Sequence, residues 1–428
     1  MRNWAANILT VSLTAALLTS QALAQPVKTE IAERDGRYTF VRNGEPYFIK
    51  GAGIDTGDIA KLAARGGNSF RNWTTENAGP VLDMALEHGL TVALCLNIGR
   101  ERQGFDYNDS EAVAAQLAKA REEVLKYKDH PALLAWIIGN EVNLEYKNPK
   151  VFDAVNDVSK MIHEVDPNHP TTTALAGFNQ GLADAMNQRA SDLDFISIQL
   201  YGDLVNLPKY LRQTKFQRPY VVSEWGAIGH WEMPSTFWKA PIEQNSSEKA
   251  GNYRMMHRKV IAYDSPLNMG SYVFLWGQKQ ERTSTWYGLF TETGESTEAV
   301  DVLEEAWTGK QPANRAPQLK SLRLNNRTAH NNPQLKVGQE YKAQVKAKDP
   351  DKDPLTYQWQ VRYESNADQW GGDKEVIPPL VPGVVDGATG DRIMVKAPQR
   401  PGAYRLFVYA YDGQGNAAHA NIPFLVRP

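Results

Sequence analysis

Two short stretches decide the fold: Trp136-Ile137-Ile138-Gly139-Asn140-Glu141-Val142-Asn143 and Val221-Val222-Ser223-Glu224-Trp225-Gly226. Each is a run of apolar and β-branched residues that stops abruptly at a carboxylate. A parallel strand buried on both faces reads as such a continuous apolar run, and its C-terminal end is where it delivers a side chain to a pocket. One glutamate after one apolar run reads equally well as a helix-start carboxylate in the dipole of the next helix. Two such ends, one preceded by Asn and the other followed by Trp-Gly, form a pair. Two carboxylates on facing strands are what cleavage of a glycosidic bond requires.

Outward from these stretches the chain alternates. An Asn43-Gly44 turn joins two aromatic-rich strands, and Tyr47 to Lys50 leads into Gly51-Ala52-Gly53 as a first barrel strand. Asp58 to Arg65 reads as a helix stopped by Gly66-Gly67, and Asn68 to Trp73 as a strand carrying Arg71 inward. Pro80 and Gly89 bracket the next helix, before the strand Thr91 to Leu96. The helix Ser110 to Lys128 precedes the strand Leu133 to Gly139. Val151 to Val165, Thr171 to Leu175, Gln180 to Arg189 and Phe195 to Leu200 continue the alternation, with Tyr201 at the last strand's tip. Tyr220 to Ser223, Glu248 to Ala262, Gly270 to Trp276 and Glu298 to Trp307 complete it. Eight strand-helix units predict an α/β fold of the (β/α)8 TIM barrel type, with reactive groups at the C-terminal strand ends. Glu141 and Glu224 then close strands four and seven. The competing architecture is a doubly wound open sheet, and no G-x-G-x-x-G loop follows an early strand to support it.

With 428 residues the chain has room for such a barrel and a second, smaller unit. Composition shifts at residues 310–317, which read as a linker after a catalytic domain spanning 25–309. Residues 318–428 carry short, alternating, turn-punctuated runs such as Glu340 to Ala347, Leu355 to Arg362, Arg392 to Ala397, Gly402 to Tyr411 and Ala418 to Val426, the pattern of a small β-sandwich. Asp349, Asp351 and Asp353 in this region read as a solvated turn rather than a calcium loop. The 47 basic and 49 acidic residues are spread without long like-charge runs, so electrostatics gives no footing for nucleic acid or an anionic membrane as partner. A neutral carbohydrate fits the composition.

Residues 1–24 read as a cleavable signal peptide: Arg2, a short apolar run from Ile8 to Leu18, then Ala22-Leu23-Ala24 before the cut. The expected location is secreted or periplasmic, with no membrane insertion after cleavage, since no later run reaches about 18 apolar residues. Cys95 is the single cysteine, so no intramolecular disulfide is expected. The eight histidines show no His-x-x-x-His helix face, and no metal or other cofactor is expected.

Asn140-Glu141 at the end of strand four, with Glu224 at the end of strand seven, resembles the retaining glycoside hydrolases of clan A. The local strings look most like the catalytic barrel of family 2. Gly139-Asn140-Glu141-Val142-Asn143 with Phe48-Ile49-Lys50-Gly51 is also similar to the fungal β-1,3-glucanosyltransferases, whose disulfide framework one cysteine cannot supply. The resemblance spans about Tyr38 to Trp307. The tail resembles the immunoglobulin-like repeats that accompany secreted carbohydrate enzymes.

The chemistry expected of the pair is acid catalysis by Glu141 and nucleophilic attack by Glu224, with hydrolysis of a β-glucan-like poly- or oligosaccharide through a glycosyl-enzyme. Transfer to a second sugar, or a silent polysaccharide-binding cleft, are the alternatives. The resemblance implies that Arg71 and Tyr201 orient the nucleophile and that Trp276 forms a floor beneath the sugar. It also favours Asn140 as a donor to the 2-hydroxyl, where a helix cap is the competing reading. His230 and Trp286, on the long loops after strands seven and eight, are further candidates for substrate contact.

Overall fold

A computed structural model describes residues 26–262, 265–368 and 371–428; the expected signal segment lies outside the described residues. Eight parallel strands close into a barrel: Ile49–Gly53, Ser69–Arg71, Thr91–Leu96, Leu133–Asn140, Thr171–Ala176, Ile196–Gln199, Tyr220–Gly226 and Asn268–Phe274, barrel strands one to eight. A helix follows each: α1 (Ile59–Ala64), α2 (Ala78–Glu87), α3 (Ser110–Tyr127), α4 (Lys150–Val165), α5 (Gln180–Gln188), α6 (Leu207–Thr214), α7 (Ser246–Met256) and α8 (Glu298–Thr308). The expected barrel is therefore the observed one. Helix α6 is absent from the elements read above, and only one of its residues, Leu207, is fully buried.

The apolar runs are continuous because both strand faces are buried, each against different company. Leu94, Leu96, Trp136, Ile138 and Val222 pack outward under the helices. Ala93, Cys95, Ala135, Ile137 and Val221 fill the barrel interior. Burial of each large apolar side chain contributes about 1.5–3 kcal/mol. Helix starts are set by side chains that accept orphan N–H groups: Asp58 from Lys61, Asp109 from Glu111 and Ala112, and Asn179 from Leu182. Asn245 and Glu248 form a reciprocal box at the start of α7.

An antiparallel three-stranded sheet (Thr29–Arg34, Arg37–Arg42, Glu45–Tyr47) covers the N-terminal mouth. Its Phe40 enters the interior cluster and meets Phe195 edge-on at 5.2 Å. That end is thereby closed, and the free end is the one carrying Glu141 and Glu224.

Beyond α8 the chain forms two sheets around a separate apolar core. Gln318–Leu324, Glu340–Lys348 and Arg392–Lys396 make one, and Gln334–Lys336, Ala417–Arg427, Gly402–Tyr411 and Thr356–Tyr363 the other. This sandwich docks through polar contacts on α7 and the segment before it. His419 N–H donates to Ser246 Oγ (3.0 Å), Leu319 N–H to Ser247 Oγ (2.9 Å), and Arg405 to the Pro241 carbonyl (2.8 Å). Buried Glu243, ion-paired with Lys249, also accepts from Asn421.

Candidate active site

Both carboxylates leave their strands at ladder irregularities. The register of strand four against strand five shifts between Ile137 and Asn140, and that of strand seven against strand six between Val222 and Glu224. Simple alternation from inward-facing Val221 would point Ser223 inward. The irregularity sets two residues against one and re-aims Glu224. At strand four Gly139 (φ 73°) and Glu141 (φ 52°) both adopt left-handed backbone. A Cβ at Gly139 would lie 2.6 Å from Val142 Cγ1, so only glycine fits.

Glu224 is held by three donors from two strand ends, Arg71 and Trp73 at strand two and Tyr201 after strand six. Arg71 Nη1 (3.2 Å) and Trp73 Nε1 (2.9 Å) reach Oε1, and the Tyr201 hydroxyl (2.9 Å) reaches Oε2. Arg71 is fully buried, and its Nη2 donates to Asn140 Oδ1 (2.8 Å). Gln199 Nε2 donates to the same oxygen (2.8 Å). With Oδ1 occupied twice, Asn140 has its amide NH2 to offer a ligand. Burial, then the Glu224 charge, raises the Tyr201 hydroxyl well above its usual range and keeps it a donor.

Glu141 has the opposite surroundings. Among the described residues no donor reaches its carboxyl. Burial pushes it up to about 8, the Glu224 charge adds to this, and Arg100, Arg102 and Arg71 pull the other way. The two carboxyls thus stand in different surroundings, Glu224 held by three donors and Glu141 raised with none.

The cleft around them has a volume of about 900 Å³, toward the upper end for small-molecule sites. Asn140, Glu141, Glu224 and Tyr201 line it, while Arg71 acts from beneath through Glu224 and Asn140. Three expected contacts do not reach it. Trp276 lies two residues beyond the end of strand eight and folds under the loop, its Nε1 donating to the Asp58 carbonyl (3.0 Å) and its ring against Phe290. Phe274 lines the cleft in its place. Trp286 is buried, with Nε1 on the Ile228 carbonyl (2.9 Å). His230 sits behind Trp231, 3.5 Å from Glu281, and Trp231 is the exposed ring at the cleft.

Trp73, Gln199, Arg100 and Arg102 are site residues that the sequence reading passed over. Trp73 carried a usable signal, since it stands two positions after inward-facing Arg71 and so shares its face. Elsewhere, His163 and His169 pair with Asp194 and Asp166 at 2.9 Å. Asp349, Asp353 and Asp412 bring one oxygen each within 4.8 Å. Asp349 accepts from the Asp351 and Asp353 N–H groups, the turn geometry expected there, while Asp351 pairs with Arg315.

Residues 49–246 match the family model for glycosyl hydrolases family 2, TIM barrel domain. A 78-residue segment is 31% identical to an Arabidopsis thaliana protein named for mannan endo-1,4-beta-mannosidase, covering 18% of each chain. Among solved structures, a calcium-binding mutant of Bacteroides uniformis beta-glucuronidase 2 aligns over 94% of this chain and 48% of its own, at 16% identity and a TM-score of 0.52. Bifidobacterium dentium beta-glucuronidase, complexed with coumarin-3-O-glucuronide, aligns over 66% and 49%, at 17% identity and a TM-score of 0.50. The chain spans about half the length of these solved relatives, and at such identity the likeness is one of fold. The barrel resembles the clan A catalytic barrel, as its strand ends imply.

Proposed function

We propose that the protein is a retaining β-glycosidase that hydrolyses a neutral, β-glucan-like poly- or oligosaccharide through a covalent glycosyl-enzyme. The observation that carries this reading is the asymmetry of the two glutamates: three donors on Glu224, none on a raised Glu141. Protonated Glu141 gives its proton to the glycosidic oxygen as the bond to the anomeric carbon breaks. A Glu224 oxygen bonds to that carbon from the opposite face. Glycosylation removes the Glu224 charge, so Glu141, now ionised, takes a proton from water as that water displaces the sugar. In this reading the Asn140 amide, whose Oδ1 is already taken by Arg71 and Gln199, donates to the sugar 2-hydroxyl. The match to family 2 and the mannosidase-like segment support a glycosidase. The signal-like segment supports action outside the cytoplasm, as a secreted or periplasmic protein.

The test separates the two glutamates, after a screen on β-glucans, β-mannans and aryl β-glycosides. Mechanism-based fluorosugars should label Glu224. Glu141→Ala should still form the glycosyl-enzyme from an activated aryl glycoside, with azide restoring its breakdown at retained configuration. Glu224→Ala should yield, with azide, a product of inverted configuration. Labelling at Glu141, or near-normal activity in either alanine variant, would end this assignment.

A further inference from the structure

The rim of the cleft is uneven. The loops after strands seven and eight, residues 227–245 and 275–297, are long, as is the segment 97–109 after strand three. The connections are short at two places on opposite sides of the mouth: residues 177–179 after strand five, and residues 54–58 and 72–77 after strands one and two. A groove running between these two places would be open at both ends, and an uninterrupted polymer could lie along it.

The sandwich also reaches this mouth. The connection between its strands Thr356–Tyr363 and Arg392–Lys396 reaches over to the barrel, where Gly371, Gly372, Lys374, Glu375 and Ile377 line the same cleft as the two glutamates. Asp373 forms a two-pronged pair with Arg102 from the loop after strand three, at 3.0 and 3.1 Å. Glu375 accepts from the Arg282 N–H (2.8 Å), and Gly372 N–H donates to Glu281 (3.3 Å), both partners lying in the loop after strand eight. Gly371 also abuts Trp231, whose ring carbon Cζ3 would lie 3.0 Å from a Cβ there. Residues 371–377 and Arg102 thus bridge the loops after strands eight and three, and in the closed barrel strands one and two stand between those two.

We infer that residues 371–377 of the sandwich form a strap that closes the cleft on the side of strands one and two, so that a polysaccharide enters by its end and not by an internal stretch. This rests on the glycosidase reading above and adds to it the mode of attack. Asp373 does not itself line the cleft; it is a positioning residue that holds the strap through Arg102. The sandwich is then part of the substrate site and not only an appendage to it.

The experiment compares loss of viscosity with appearance of new reducing ends, on whichever soluble β-glucan or β-mannan is turned over, for the full-length protein and two variants. Wild-type protein should release reducing ends with little early loss of viscosity. Asp373→Ala should loosen the strap and give about tenfold more viscosity loss per bond cleaved, the size of shift that losing a charge-assisted pair produces in a two-state closure. Asp373→Glu should restore the wild-type ratio. Aryl glycoside turnover should stay within about twofold in both variants, as for a substitution away from the reacting groups. Early viscosity loss by wild-type protein, or an unchanged ratio in Asp373→Ala, overturns the strap while leaving the glycosidase reading intact. No turnover of any glycoside, aryl glycosides included, by wild-type protein overturns that reading and the strap with it.

Discussion

Replacing Glu141 by Gln should abolish hydrolysis of unactivated glycosides and at the same time stabilise the protein at alkaline pH. In the folded chain the carboxyl is raised from 4.5 to about 8, chiefly by burial and then by the Glu224 charge. Between those two values the folded state keeps a proton that the unfolded chain releases, so stability falls as pH rises, by about 1.4 kcal/mol per unit. From pH 5 to pH 8 this amounts to at most about 4 kcal/mol, and water in the open cleft reduces it to about 2. Glutamine has the same shape and no charge, so the variant should lack this slope. Urea titrations at pH 5 and pH 8 read it directly: wild-type and variant midpoints should lie close together at pH 5, with the variant clearly higher at pH 8. Equal separations at the two pH values would mean that Glu141 is not held protonated, and the acid assignment would lose its physical basis. Activity should show the same group from the other side, with kcat/KM of wild-type enzyme falling as pH rises through about 8.

Trp73→Phe keeps the ring beside Arg71 and removes the indole donor to Glu224; kcat on aryl glycosides should fall about tenfold to hundredfold, and an unchanged rate would show the donor to be idle. At the junction of barrel and sandwich, burial with the nearby Lys249 charge pushes His419 down to about 3, so the unfolded chain takes up a proton below about 6.5 that the folded chain refuses. Stability should therefore fall with pH, by at most about 3 kcal/mol between pH 7 and pH 4; His419→Gln should flatten that fall in urea titrations, and an equally steep fall in the variant would remove His419 as its cause.

What the sequence disclosed follows the range of the interactions. Strands four and seven were legible because a strand buried on both faces needs no partner information to look apolar throughout. The strand ends gave the positions of Arg71 and Tyr201, and the family resemblance gave their expected role at the site. Trp276 misled because two residues of error at a strand end exchange a cleft ring for a buried one, and Phe274 took the place given to it. In the sandwich, Gln318–Leu324 escaped notice because a register shift between Leu319 and Ser321 breaks the period-two pattern, and Gln334–Lys336 because it is three residues long. The Arg102–Asp373 pair was out of reach altogether, since its partners lie 271 positions apart and each reads singly as a loop charge.

The strand-four motif is a unit whose members hold one another in place. Left-handed backbone at a residue with a side chain costs about 1–3 kcal/mol and survives only where the surroundings over-determine it. At Glu141 they do so from three directions. Its N–H donates to the Ala174 carbonyl (2.8 Å), extending the ladder to strand five past the irregularity. The Asn143 amide clasps strand five from both sides, donating to the Ala176 carbonyl (2.8 Å) and accepting from the Ala176 N–H (2.9 Å). Val142 packs into the space that a side chain at Gly139 would occupy. Asn140 meanwhile is pinned through Oδ1 by Arg71 and Gln199, and Arg71 is the cation on Glu224. Glu141, Glu224 and the Asn140 amide beside them thus share one connected set of contacts. That arrangement keeps a raised carboxyl in place against both its desolvation and its backbone strain, and it explains why Gly139, Asn140, Glu141, Val142 and Asn143 all had to stand together in the stretch from which the fold was read.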